Sequence, residues 1–175
     1  MHPLLEKNNI MVDLETMATH PNAAIVAIGA VRFTDELKDT FYQVVDLQSA
    51  MDAGLDVNGD TVNWWLMQEQ AARQAITAPG LELPQALMLF AKWLGEGAVV
   101  WGNGASFDNA ILSNAYYKTD ILLPWHYSNN RCYRTVKSFY PKIKLQRVGT
   151  LHNALDDAVS QATHLIEIFK NIKTY

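Results

Sequence analysis

Two carboxylates one residue apart, Asp13 and Glu15, stand in the stretch IMVDLETMAT (residues 10–19), which otherwise reads as a buried β-strand. Side chains alternate between the faces of a strand, so Asp13 and Glu15 point one way while Val12 and Leu14 point the other. Like charges on one face repel, and each is costly to desolvate. Three more residues could share that site: Asp108 just past an apolar strand, His152 before the last helical segment, and Asp157 in its first turn. Singly, each has a plain structural reading, as a helix cap, a core histidine and an acid complementing a helix dipole. Together, four carboxylates and one imidazole require cations, and hard oxygen donors suit Mg²⁺ or Mn²⁺.

The elements that must position these residues follow from hydrophobic periodicity. Strands are expected over 9–15, 23–33 and 40–47, with the polar residues 34–39 as a hairpin loop. A helix over 60–76 opens on Asp60 and Thr61 as cap candidates, and another over 83–96 carries Leu83, Leu87, Phe90 and Leu94 on one stripe. A short strand over 98–103 runs into a helix over 106–117 with Ser106 or Asp108 as its cap. Residues 124–140 read as a short strand and a helix. The last segment, 153–172, places Leu155, Val159, Ala162, Ile166 and Phe169 at helical spacing. The order β-β-β-α-β-α-β-α predicts an α/β fold with a mixed sheet flanked by helices, and 175 residues suit one domain over 1–175.

Composition narrows the function classes. No apolar run approaches the ~18 residues of a membrane span, and the first nine residues are too short and polar for a secretory signal. The single cysteine, Cys132, cannot form an internal disulfide, which fits a cytoplasmic protein. The formal net charge is -4, yet residues 121–155 contain no Asp or Glu and carry Arg131, Arg134, Lys137, Lys142, Lys144 and Arg147. A basic stretch on an acidic body suits the docking of a phosphate backbone.

Three motifs in order give a family resemblance. The segments DLET, NGASFD and HNALDDA resemble the exonuclease motifs of the DEDDh 3′–5′ exonucleases of the ribonuclease H-like fold. The surrounding residues resemble the phage exonuclease A (DexA) group and related bacterial exoribonucleases. Asp-x-Glu falls on Asp13 and Glu15, Asn-x-x-x-Phe-Asp on Asn103, Phe107 and Asp108, and His-x-x-x-x-Asp on His152 and Asp157. Helix periodicity does not separate Asp156 from Asp157; the five-residue distance from His152 selects Asp157. The chain departs from many relatives in having Thr16-Met17-Ala18 after the first Glu, a difference that bears on contacts to the terminal nucleotide.

The resemblance implies that Asp13, Glu15, Asp108 and Asp157 hold two Mg²⁺ or Mn²⁺ ions for phosphodiester hydrolysis, with His152 as general base. It implies release of 5′-mononucleotides from the 3′ end of a single strand, with single-stranded DNA favoured and RNA the alternative, and it leaves monomer and homodimer open. Thr16 and Met17 are expected beside the terminal nucleotide, with core packing an equal alternative for Met17; Asn103 is expected as a polar contact that orders the loop around Asp108, and Phe107 either touches a base or packs under the site. Trp64 and Trp65 point about 100° apart on a helix, so one apolar stripe hardly buries both; either one packs in the core while the other covers the sheet edge, or one of them lies beside the groove and stacks on a base. The rival reading is a binding module with dead chemistry, which the full set of five motif residues argues against.

Overall fold

The computed structural model describes residues 3–104 and 106–172, so residues 1–2, 105 and 173–175 of the expected domain lie outside the described residues. The unbroken run of β-branched and apolar residues around Asp13 makes β1 (Asn9–Thr16) the central strand, covered on both faces. Antiparallel partners β2 (Ile25–Phe33) and β3 (Leu37–Val44) extend the sheet on one side. Parallel partners β4 (Val99–Gly102) and β5 (Asn130–Cys132) extend it on the other, giving the order β3-β2-β1-β4-β5. This is the mixed sheet flanked by helices that the sequence predicts.

Alternation along β1 feeds two cores. Ile10, Val12 and Leu14 join the core built with α4 (Leu83–Leu94) and α5 (Asp108–Lys118), including Leu87, Phe90, Ile111 and Tyr116. Met11 faces the second core, with Val31, Phe33 and Trp101 of the sheet, Tyr133 of α6 (Tyr133–Phe139), and Ala158, Ala162 and Leu165 of α7 (Ala154–Asn171). Asp13 and Glu15 continue the Met11 face, so they point toward α7.

Several local readings change. The hairpin loop is shorter than expected, because β3 already starts at Leu37 and Thr34 closes the turn by donating to the Glu36 carbonyl at 3.0 Å. After α1 (Leu47–Asp52), the expected long helix breaks into α2 (Gly59–Leu66) and α3 (Gln70–Thr77). Met67 and Gln68 donate to carbonyls three residues back, which tightens and ends the turn. The cap of α2 is Asn58, whose side chain accepts from the Asp60 and Thr61 amides at 2.8 and 3.3 Å. On α7 the buried line is Ala154, Ala158, Gln161 and Leu165, whereas Leu155 and Val159 are only half-buried.

Small residues explain that rotation. Gly29 lies opposite Asp13 in the β1–β2 register, and a Cβ on it would sit 2.1 Å from the Ala154 carbonyl carbon and 2.2 Å from the Leu155 nitrogen. The first turn of α7 thus rests directly on strand backbone, and Asp157 follows within reach of β1. Gly29→Ala forces two backbones apart, a core overpacking that costs ~1–3 kcal/mol. Its melting temperature should fall by several degrees, whereas Gly59→Ala, whose added methyl meets nothing within 4 Å, should leave thermal stability intact.

Candidate active site

The end of β1, the first turns of α5 and α7, and α2 surround an open cavity of about 600 Å³. Asp13, Glu15, Asp108, His152 and Asp157, far apart in sequence, all line it. Asp13, Glu15 and Asp157 each place a carboxylate oxygen within 4.8 Å of the others. Asp108 is turned differently. Its Oδ1 accepts from the Leu14 amide at 3.3 Å and its Oδ2 from the Asn103 amide at 2.8 Å, so it ties the loop after β4 to β1. It does not cap α5; Phe107 occupies the cap position without a side-chain bond.

Loop 149–152 is built around the adjacent acids of α7. Asp156 Oδ2 accepts from the Thr150 amide at 2.7 Å and fills the space over Gly149, whose φ is +68°. Asp157 Oδ2 accepts from the His152 amide at 3.2 Å. His152 itself adopts φ +61°, a left-handed conformation that costs a non-glycine residue energy and is held by these bonds. Its imidazole meets the Trp64 ring edge-to-face at 4.8 Å and lies 6.3 Å from the Trp65 ring. Asp156 therefore shapes the loop from outside the cavity while Asp157 faces in.

The two tryptophans differ. Trp65 is buried and donates Nε1–H to the Thr16 carbonyl at 3.0 Å, whereas Trp64 is 39% exposed at the cavity wall. Thr16, Asn103 and Phe107 line the cavity, and the Thr16 hydroxyl donates to the Ala18 carbonyl at 2.7 Å. Met17 does not. Its side chain is buried in the core cluster that also holds Leu14 and Ile25.

Two contributors escaped the sequence reading. Gln161, one turn after Asp157, donates Nε2–H to Asp13 Oδ1 at 2.7 Å. Its spacing of four from Asp157 was the available signal. Arg147 was grouped only with a basic stretch, yet its guanidinium pairs with Asp157 Oδ1. No sequence pattern links a loop arginine to a helix acid ten positions away.

Burial and mutual repulsion govern the protons here. Burial first, then the charges of Asp108 and Glu15, hold Asp13 well above the usual carboxylate range, against a lowering bond from Gln161. Burial, then Asp157 and Asp108, push Glu15 up to about 8. Burial raises Asp108 to about 6, opposed by the amides of Leu14 and Asn103 and by Arg134. Glu15 Oε1 is buried and accepts no hydrogen bond, and Gln161 Oε1 is in the same condition. A clustered set of hard oxygen donors with unanswered acceptors fits a divalent cation such as Mg²⁺ or Mn²⁺.

These shifts set a pH dependence for the metal-free protein. The unfolded chain releases its carboxyl protons near pH 4, whereas the folded chain keeps them until about 6 at Asp108 and about 8 at Glu15. Stability from these groups is complete below pH 4 and is lost as pH rises through those values. In chelator the melting temperature should fall by several degrees between about pH 5 and pH 8. Mn²⁺ added at the higher pH should restore it. A flat profile in chelator would contradict the crowding of these carboxylates.

Comparison with known proteins shows the same fold elsewhere. The nuclease domain of 3'hExo, described as a DEDDh family member, superposes with a TM-score of 0.65 at 14% identity, covering 94% of this chain and 92% of that one. S. pombe Pop2p gives 0.61 at 15% identity over 96% and 85%, and the cell-death related nuclease CRN-4 gives 0.54 at 12% identity over 94% and 64%. No curated protein sequence matches significantly, and none of these similarities singles out the phage exonuclease A group. Residues 8–169 match the family described as the 3'-5' exoribonuclease Rv2179c-like domain, and the chain belongs to that family.

Proposed function

We propose that this chain is a single-domain, metal-dependent 3′–5′ exonuclease that removes 5′-mononucleotides from a single-stranded 3′ end. The observation that carries this reading is the convergence of Asp13, Glu15 and Asp157 with His152 in one open cavity. The family description supports RNA as substrate, against the DNA preference expected from the motif resemblance alone. The similar nuclease domain of 3'hExo, bound to rAMP, points the same way. The lone Cys132 supports a cytoplasmic location. Among the described residues, no helix is long and apolar enough to cross a membrane.

Asp13, Glu15 and Asp157 would hold two divalent ions, with Asp108 completing the set. Bound there, the ions would supply Lewis-acid charge for water activation and for the departing 3′ oxygen. The chain's own residues do the rest. His152 takes the attacking water's proton at a ring nitrogen, a role suited to an imidazole. Trp64 and Trp65 hold that ring edge-on, and the amide bond to Asp157 fixes its backbone. Gln161 orients Asp13. Trp64 offers an exposed ring to the base of the departing nucleotide, and Asn103 and Phe107 border it.

A 5′-labelled RNA strand should shorten stepwise from its 3′ end with Mg²⁺ or Mn²⁺, faster than matched DNA, and chelator should stop the reaction. Asp157→Asn should lower the rate by orders of magnitude, because a ligand loses its charge. Fragments released from a circular single strand would refute the exonuclease assignment, and degradation of DNA alone would refute the RNA assignment.

The tryptophans allow a separate measurement. Base stacking is worth ~1–3 kcal/mol, so Trp64→Ala should weaken single-strand binding about tenfold with little change in melting temperature. Trp65→Ala should unfold at a markedly lower temperature, because a buried ring and its bond to Thr16 are lost. Equal loss of stability in both variants would place Trp64 in the core and end the stacking role.

A further inference from the structure

A second groove, of about 630 Å³, opens beside the catalytic cavity and shares Asn103 and Arg134 with it. Its cations are Arg134, Lys137 and Lys144, and no acidic residue lines it. Arg134 and Lys137 lie three apart on α6, so they face one way. The Lys137 ammonium lies over the Tyr133 ring at 5.9 Å. Arg134 reaches the catalytic side, since a Cβ on Gly104 would lie 3.6 Å from its guanidinium carbon and its charge is felt at Asp108. Ile143 and Leu145 add apolar wall between the charged groups.

The other cations of the basic stretch have different employment. Arg131 donates to the Ser128 and Asn130 carbonyls at 2.7 and 2.8 Å, Arg147 pairs with Asp157, and Lys142 lies outside the groove lining. The stretch is thus not a uniform charged face. Three of its cations line a groove that adjoins the carboxylate cavity, together with the apolar Ile143 and Leu145.

We propose that this groove is the path of the single strand on the 5′ side of the scissile nucleotide, with Arg134, Lys137 and Lys144 on its phosphates. The assignment rests on the exonuclease reading for its direction. The terminal nucleotide occupies the catalytic cavity and the preceding ones run along α6. A dinucleotide is then too short to use the far cations, and a longer strand gains them.

The test compares Lys137→Gln, Lys144→Gln and Lys142→Gln, each removing one charge from the same segment, in an Asp13→Asn background that spares the strand. Affinity is measured by fluorescence anisotropy for a labelled dinucleotide and for a strand of about eight nucleotides, across a salt series. Lys137→Gln and Lys144→Gln should each weaken the longer strand several-fold and reduce its salt slope by about 0.7. Dinucleotide affinity should be unchanged, and Lys142→Gln should affect neither ligand. The proposal is overturned if Lys142→Gln costs as much as the groove variants, if dinucleotide binding falls equally, or if no variant changes the longer strand. Because affinity is read instead of turnover, failure of the 3′-shortening assay would leave this comparison decisive on its own.

Discussion

The whole arrangement depends on forcing like charges together beside a strand. Asp13 and Glu15 share a face of β1, and α7 brings Asp157 against them. Repulsion and burial both oppose this, as the raised proton affinities of Asp13 and Glu15 register. Surrounding backbone must therefore supply the restoring force. The approach of Ala154 to Gly29 presses α7 onto the sheet directly opposite Asp13. The apolar contacts of Ala158, Ala162 and Leu165 with Val31 and Phe33 keep it there. Packing holds what electrostatics would separate.

Hydrogen bonds complete the restraint, and their division is instructive. Asp108 and Asp157 each hold neighbouring backbone and Asp13 is held by a side-chain amide, whereas Glu15 Oε1 is left unbonded. Asp108 fastens the loop after β4 to β1, Asp157 fastens His152, and Gln161 fastens Asp13. Asp156, excluded from the cavity, fixes the loop that carries His152. The left-handed backbone at His152 is maintained by bonds from α7, so His152 and the last carboxylate are positioned as one unit.

Much of this was legible in the residues. Alternation identified the shared face of Asp13 and Glu15, and periodicity gave the strand and helix order. The His-x-x-x-x-Asp spacing of the resembled family motif points to Asp157, which faces the cavity, over Asp156. Contacts between distant elements were not legible. Gly29 reads as an ordinary small residue until α7 is laid on it, and Arg147 as one of six cations until loop and helix meet. Met17, an apolar side chain at a strand end, suits core packing and a base edge equally by its chemistry, and only the packed structure places it in the core. The 60–76 segment was read as one helix because periodicity continues through Met67 and Gln68, while the break comes from local tightening of the hydrogen bonds.

Charge segregation along the chain gains meaning once folded. An acid-free segment, 121–155, supplies the basic wall beside a carboxylate cluster drawn mainly from the rest of the chain. Opposite charges placed at random would pair and neutralise one another on the surface, leaving neither free for an ion or a phosphate. Here Arg147 and Asp157 form the direct ion pair between the two sets that the described residues show, and Arg147 is largely exposed while Asp157 is buried. A cation in that position partly offsets the crowded carboxylates when no metal is bound, and its exposed side chain can leave without disturbing the core. The same segregation keeps Arg134, Lys137 and Lys144 clear of acidic partners among the groove residues. A net-negative protein thereby presents a cation-lined groove beside its carboxylate cluster.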